Sequence, residues 1–208
     1  SILVVNARHM KNVPGRKTDM RDAQWIATLL RAGLLKGSFI PDKTFRELRH
    51  LTRYRKSIVR DITAQKNRID KFLQSSGFRF TAFLSDAFGA SGRNIIRHLM
   101  EYGNISREAL DRCLKTQTRK RIDEILIALN GSLSEHQRGF LRMIFGHLEA
   151  LEQHRHTVED AITKEITKHE EALSLLCSIP GIDVTAAAAI IAEIGTDMSA
   201  FPDSQHIC

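Results

Sequence analysis

Apolar residues in this chain recur mostly every third or fourth position, the spacing of helices that bury one face. The exception is Ile2-Leu3-Val4-Val5, an unbroken apolar run that predicts a buried strand over 2–6. Ala23, Ile26, Ala27 and Leu30 then predict a helix from about Asp19 to Ala32, capped by Thr18 or Asp19 and stopped at Gly33. Gly37-Ser38-Phe39-Ile40-Pro41 is predicted to be extended, because the residue before a proline avoids helix.

Two long heptad patterns follow. Over 43–75, Leu48, Leu51, Arg55, Ile58, Ile62, Gln65, Ile69 and Phe72 form a seam with two polar interruptions. At 1.5 Å per residue that helix is roughly 50 Å long. From about Ser134 to Leu176, Leu141, Ile144, Leu148, Leu151, Arg155, Val158 and Ile162 form a second seam, whose phase shifts at Ile166 and Leu173. The two helices are expected to pack antiparallel, within one chain, between chains, or both. A helix roughly 65 Å long outreaches a domain of this size. Residues 43–75 cover only part of it, so a second copy is the expected cover for the rest, giving a homo-oligomer and most simply a dimer. Between them, residues 76–133 predict short helices at 81–88, 91–102, 106–114 and 118–129, an insertion or dimer arm with no evident chemistry.

Past the second long helix, Ser178-Ile179-Pro180-Gly181-Ile182-Asp183-Val184 leads into an alanine-rich helix that ends at Gly195. Pro180-Gly181 forces a tight turn. The segment resembles a helix-hairpin-helix, whose turn amides at Gly181 and Ile182 and following helix N-terminus would hold phosphate. Many such hairpins have a second glycine where Asp183 stands, and its carboxylate either repels phosphate or caps the helix. An αα-corner packed for structure alone fits the same residues.

Composition adds three points. Hydrophobic residues at 42% with aromatics at 6% suit a helical core better than a sandwich. Cys113, Cys177 and Cys208 are an odd number without CxxC spacing, which points to free thiols in a reducing cytoplasm. No apolar run reaches the length of a membrane span, and no secretory leader is evident. Charge says more. The net +7 divides into 17 Lys/Arg against 6 Asp/Glu over residues 1–75, and 14 against 18 over 76–208. The 43–75 helix alone has 10 basic and 3 acidic residues, with Arg49, Arg53, Lys56, Arg60 and Lys66 among those off its seam. That imbalance fits contact with nucleic acid, although charges opposite an apolar stripe also form merely solvated faces.

The candidate chemistry lies before this helix. Asp19 and Asp22, three apart, share a face near a helix start, beside Arg16 and Lys17. Paired carboxylates next to a basic shoulder suit a Mg²⁺ ion acting on phosphate. The helix dipole alone also favours aspartate in a first turn.

The wording around the pair narrows the field. Asn6-Ala7-Arg8-His9-Met10-Lys11-Asn12, then Gly15-Arg16-Lys17-Thr18-Asp19-Met20-Arg21-Asp22-Ala23, then Leu29-Leu30-Arg31-Ala32-Gly33-Leu34-Leu35 resembles the bacterial transposases of insertion-sequence family one-hundred-ten. Residues 178–206 resemble the opening of that family's C-terminal domain. The resemblance implies a mainly α fold here: 1–42 as the C-terminal edge of a RuvC-like (RNase H fold) α/β domain, 43–176 as a coiled-coil region, and 177–208 as the start of a serine transposase domain. It implies that Asp19 and Asp22 are the last two acids of an Asp-Glu-Asp-Asp site. The first Asp and the Glu would precede Ser1, and a nucleophilic serine would follow Cys208, so the chain is expected to be a piece of a longer protein. DNA, a structured guide RNA and Mg²⁺ are the implied partners and cofactor, and the piece alone is expected not to cut or rejoin DNA. Two other classes stay open on the residues: a non-catalytic DNA- or junction-binding protein, and a helical protein-interaction module.

Overall fold

The computed structural model describes residues 4, 5, 19–35, 37, 40, 42–201 and 203, with the backbone alone at 19–22 and 200. About 75% of the described residues are helical. The strand predicted over 2–6 falls largely outside the described residues; of those described, Val5 forms an isolated antiparallel bridge with Gly37. Helix α1 (Asp19–Arg31) has the predicted span. Its buried residue is Leu29, whereas Ile26 and Leu30 of the predicted apolar face are exposed, because no other described element packs on that side.

Two helices of nearly equal length form the frame: α2 (Lys43–Ser75), with 33 residues, and α7 (Glu135–Ile166), with 32. Ser134 starts α7 through a reciprocal capping box with Gln137. The helices run antiparallel along their whole length, as three cross-links show. Arg55 pairs with Glu159 at 2.8 Å near one end. The Gln65 side-chain amide donates to the Ile144 carbonyl at 2.6 Å in the middle. Phe72 and Phe140 meet edge-on at the other end, 5.1 Å between centroids. The two polar interruptions of the first seam are thus accounted for by specific partners on α7.

The second helix is shorter than its sequence pattern predicts. It tightens into a 3-10 turn at Thr167–His169, and α8 (Glu170–Cys177) follows as a separate piece. The hydroxyls of Thr163 and Thr167 donate back to the carbonyls of Glu159 and Thr163, a bonding pattern that bends helices. Since α7 stops where α2 begins, the apolar seam is covered along its length, with Leu151 half-buried against the core. Leu141, Ile144, Leu148, Val158 and Ile162 are all buried within one chain. Within one chain this stripe is already covered, so it does not by itself require a second copy.

The segment between the long helices folds back on α7. It contains a 3-10 turn at Phe80–Phe83, α3 (Ala90–Tyr102), α4 (Arg107–Cys113), α5 (Thr116–Arg119) and α6 (Ile122–Ile127). The predicted helix at 81–88 is only that 3-10 turn, and the one at 118–129 is divided between α5 and α6. Arg93 and Arg97 of α3 reach Glu152 and Glu149 of α7 at 2.6 and 2.9 Å, and both guanidinium groups lie over Phe145. At the base of the arm Gly131 passes the end of α2 so closely that a Cβ would stand 2.6 Å from the Ser76 carbonyl oxygen. Only glycine permits that crossing.

Candidate nucleic-acid interface

The chain returns to α2 through α8, the Pro180-Gly181 turn and α9 (Val184–Ile194). Gly181 has φ +90°, the left-handed conformation that glycine adopts without penalty, and the turn is exposed. The Asp183 carboxylate accepts from the Ala186 amide at 2.7 Å, so of its two roles open from sequence it performs the capping one. Ala187, Ala188 and Ala192 are fully buried and, being small, bring α9 close to its neighbours.

The sense of α9 along α2 decides what the basic stripe does. Its C-terminal end lies at Arg49 and Arg53. Arg49 donates to the carbonyls of Ala192 and Glu193 at 3.2 and 2.7 Å, among the last four of the helix, which have no partner inside it. A cation is favoured there by the helix dipole as well. The Glu193 carboxylate accepts two bonds from Arg53, at 2.8 and 3.0 Å, and lies 2.9 Å from Arg49. The hydrogen bond to Glu193, more than its charge, pushes the Arg53 pKa further up.

The N-terminal end of α9 lies further along α2, across a cleft of about 580 Å³ walled by Thr52, Lys56, Val59, Val184 and Thr185. Arg49, Arg53, Lys56 and Arg60 succeed one another at four, three and four residues, so they form one stripe. Its first half is engaged by Glu193. The second half, Lys56 and Arg60, is exposed and makes no ion pair among the described residues. Lys66 lies off this stripe, its ammonium 5.5 Å from the Phe88 ring centre. Ile182 is half-buried, with its amide donating to the Ile179 carbonyl at 3.1 Å, so one of the two turn amides predicted to hold phosphate is already bonded.

The carboxylate pair is placed less fully. Asp19 and Asp22 both fall in the first turn of α1, three residues apart, and their side chains lie outside the described residues. Arg16 and Lys17 lie outside them altogether. Among the described residues no three His, Cys, Asp or Glu side chains gather as a metal site would require.

Sequence reasoning missed Glu193. It stands about 140 residues from its arginine partners, and no local pattern marks so distant a pairing.

A helical frame with a basic stripe beside a tight turn is compatible with a protein that handles nucleic acid. Residues 1–77 match the DEDD transposase family of IS110 elements, described as Transposase. Residues 173–208 match a second family, described as Transposase IS116/IS110/IS902 family. The chain belongs to the IS110 family of transposases. No curated protein matches it. Membership implies DNA binding, and no helix among the described residues is long and apolar enough to cross a membrane.

Proposed function

We propose that this chain holds the backbone of DNA, or of a guide RNA paired to it, along the free half of the α2 stripe, as part of an enzyme that cuts and rejoins DNA in the cytoplasm. One observation carries this reading: Lys56 and Arg60 are exposed, one helical turn apart, and make no ion pair among the described residues, and Lys56 borders the cleft that the start of α9 lines with Asp183 and Val184. A row of free cations gains affinity for any polyanion by releasing its counterions, irrespective of base sequence. Arg49 and Arg53 orient α9 through Glu193 and so set where the turn lies relative to that row.

Asp19 and Asp22 are assigned to Mg²⁺. Two carboxylates in one helical turn offer hard oxygen ligands of the kind this ion takes, and its remaining ligands come from outside the described residues. When bound, the ion neutralises charge on the phosphate under attack. The residues of this chain bind and position; Arg16 and Lys17 are placed on the phosphate flanking the carboxylates. Association of two copies, which would keep two DNA ends together, is assigned to a surface other than the α2–α7 seam.

Binding of labelled duplex DNA, followed by anisotropy across a salt series, tests the interface. Lys56→Glu with Arg60→Glu should weaken binding to every sequence and flatten the plot of log affinity against log salt by about 2, near 0.9 per lost phosphate contact. An unchanged slope in a folded variant would assign the stripe to solvent. Mg²⁺ titration by calorimetry should lose its heat in Asp19→Asn with Asp22→Asn; a retained heat would remove the metal assignment.

A further inference from the structure

The insertion carries an unpaired arginine, Arg112, on the wall of a cleft that also holds an exposed aromatic ring. Arg93, Arg97, Arg107, Arg119 and Arg121 are each paired with a carboxylate, from Glu152, Glu149, Asp123, Asp111 and Glu124 in turn. Arg112 is exposed and makes no ion pair among the described residues. Of the carboxylates nearest in sequence, Asp111 pairs with Arg119; Glu108 is held mainly by its own amide and the Ser106 hydroxyl, and the charges of Arg107 and Arg112 act on it more weakly, without an ion-pair contact.

Arg112 borders a cleft of about 600 Å³ between α3 and α4, which also has Asn94, His98 and Tyr102 in its wall. A volume of several hundred Å³ accommodates a ligand of nucleotide size. Tyr102, the last residue of α3, is 65% exposed, so its ring contributes little to the core. That ring lies against His98, 4.5 Å between centroids and tilted by 37°, which fixes its plane. Burial first, and the charge of Arg112 second, push the His98 pKa down, so the backing ring is uncharged near neutrality. Arg138 and Arg142 of α7 donate to the carbonyls of Glu101 and Met100 at 2.6 and 2.7 Å, which brings two more cations to the end of α3. Asn94 gives one amide hydrogen to the Cys113 carbonyl at 3.4 Å and keeps its oxygen for another donor.

We propose that this cleft binds one unpaired nucleotide of a single-stranded nucleic acid, its base stacked on Tyr102 and its phosphate held by Arg112. Stacking needs an exposed, immobilised π-face and tolerates any base. A cation within one nucleotide's reach of such a face separates this arrangement from an incidental surface tyrosine. Asn94 can meet a base edge. The site rests on the reading that the chain handles nucleic acid, but lies on the arm and shares no residue with the α2 stripe.

The test measures binding of the full chain to labelled oligomers of about twelve nucleotides, long enough to span one such site. One is RNA, one is DNA of the same sequence, and one is a sugar–phosphate chain without bases. Tyr102→Ala should weaken binding to the base-bearing oligomers about tenfold and leave the base-free one unchanged, and Tyr102→Phe should restore binding. Arg112→Gln should weaken all three. A difference between the RNA and DNA arms names the natural strand. Equal binding by Tyr102→Ala and wild type, at equal helix content and melting temperature, overturns the site while leaving the α2 interface standing. The reverse holds if only the Lys56 and Arg60 reversals are without effect. Should Tyr102→Ala fail to fold, photo-crosslinking of a 4-thiouridine RNA to the wild type decides: adducts at 98–113 support the site, and adducts confined elsewhere overturn it.

Discussion

Helices α2 and α7 are almost the same length and share one seam, yet their outer faces do opposite things. α2 carries 10 basic and 3 acidic residues, whereas α7 carries 4 Lys/Arg and 6 Asp/Glu. The acids of α7 are largely consumed inside the molecule: Glu149 and Glu152 hold the arm, and Glu159 holds Arg55. The bases of α2 divide. Arg49, Arg53 and Arg55 are engaged by carboxylates, while Lys56 and Arg60 face solvent. A seam therefore says that two helices pair. The partners of the remaining charges say which helix is scaffold and which presents a surface.

The largest expected effect comes from breaking what the two helices share. Leu148 is fully buried where α7 meets both α2 and the arm. Leu148→Ala should cost about 2–5 kcal/mol in urea unfolding, the range for deleting a leucine from a packed core. If sedimentation mass fell with no loss of stability, the seam would instead join copies of the chain.

A smaller effect should follow from removing the device that divides the stripe. Glu193→Ala leaves Arg49, only 20% exposed at its side chain, without a carboxylate. Stability should fall by about 1–2 kcal/mol, in line with losing bonds to a charged group that is partly buried. At the same time Arg53 is released, and the salt dependence of DNA binding should steepen by nearly one phosphate contact. Loss of stability with an unchanged slope would mean that Arg53 lies outside the nucleic-acid path.

The smallest concerns the seam's charged interruption. Side chains of Arg55 and Glu159 are 24% and 32% exposed, 2.8 Å apart, with Arg155 and His156 also near the carboxylate at 3.7 Å. A double-mutant cycle on Arg55→Ala and Glu159→Ala should give a coupling of about 0.5–1 kcal/mol, close to the upper end for a partly solvated pair. A coupling near zero would make the pair a register mark without energetic weight.

Local pattern was enough for the helices that obey it. The 43–75 period matches the bounds of α2, the second period starts at Ser134 as α7 does, and Pro180-Gly181 marks the hairpin turn. Two features escaped for one reason each. The 3-10 turn at Thr167–His169 that ends α7 is not recorded by the apolar period, which runs on past it. Tyr102 and Arg112 lie on different short helices, and their meeting depends on how α3 and α4 fold together.

By itself, then, the sequence determined where the two long helices start, which edge of each is apolar, where charge accumulates, and that Asp19 and Asp22 share a turn. These follow from interactions within a few residues along the chain. Tertiary structure alone decided that the long seam closes inside one chain, that Glu193 engages the first half of the basic stripe and leaves Lys56 and Arg60 free, and that an exposed tyrosine acquires an unpaired arginine beside it. Each of those results requires residues tens of positions apart to meet, and a charge or an apolar surface has no assigned partner until the chain has brought one to it.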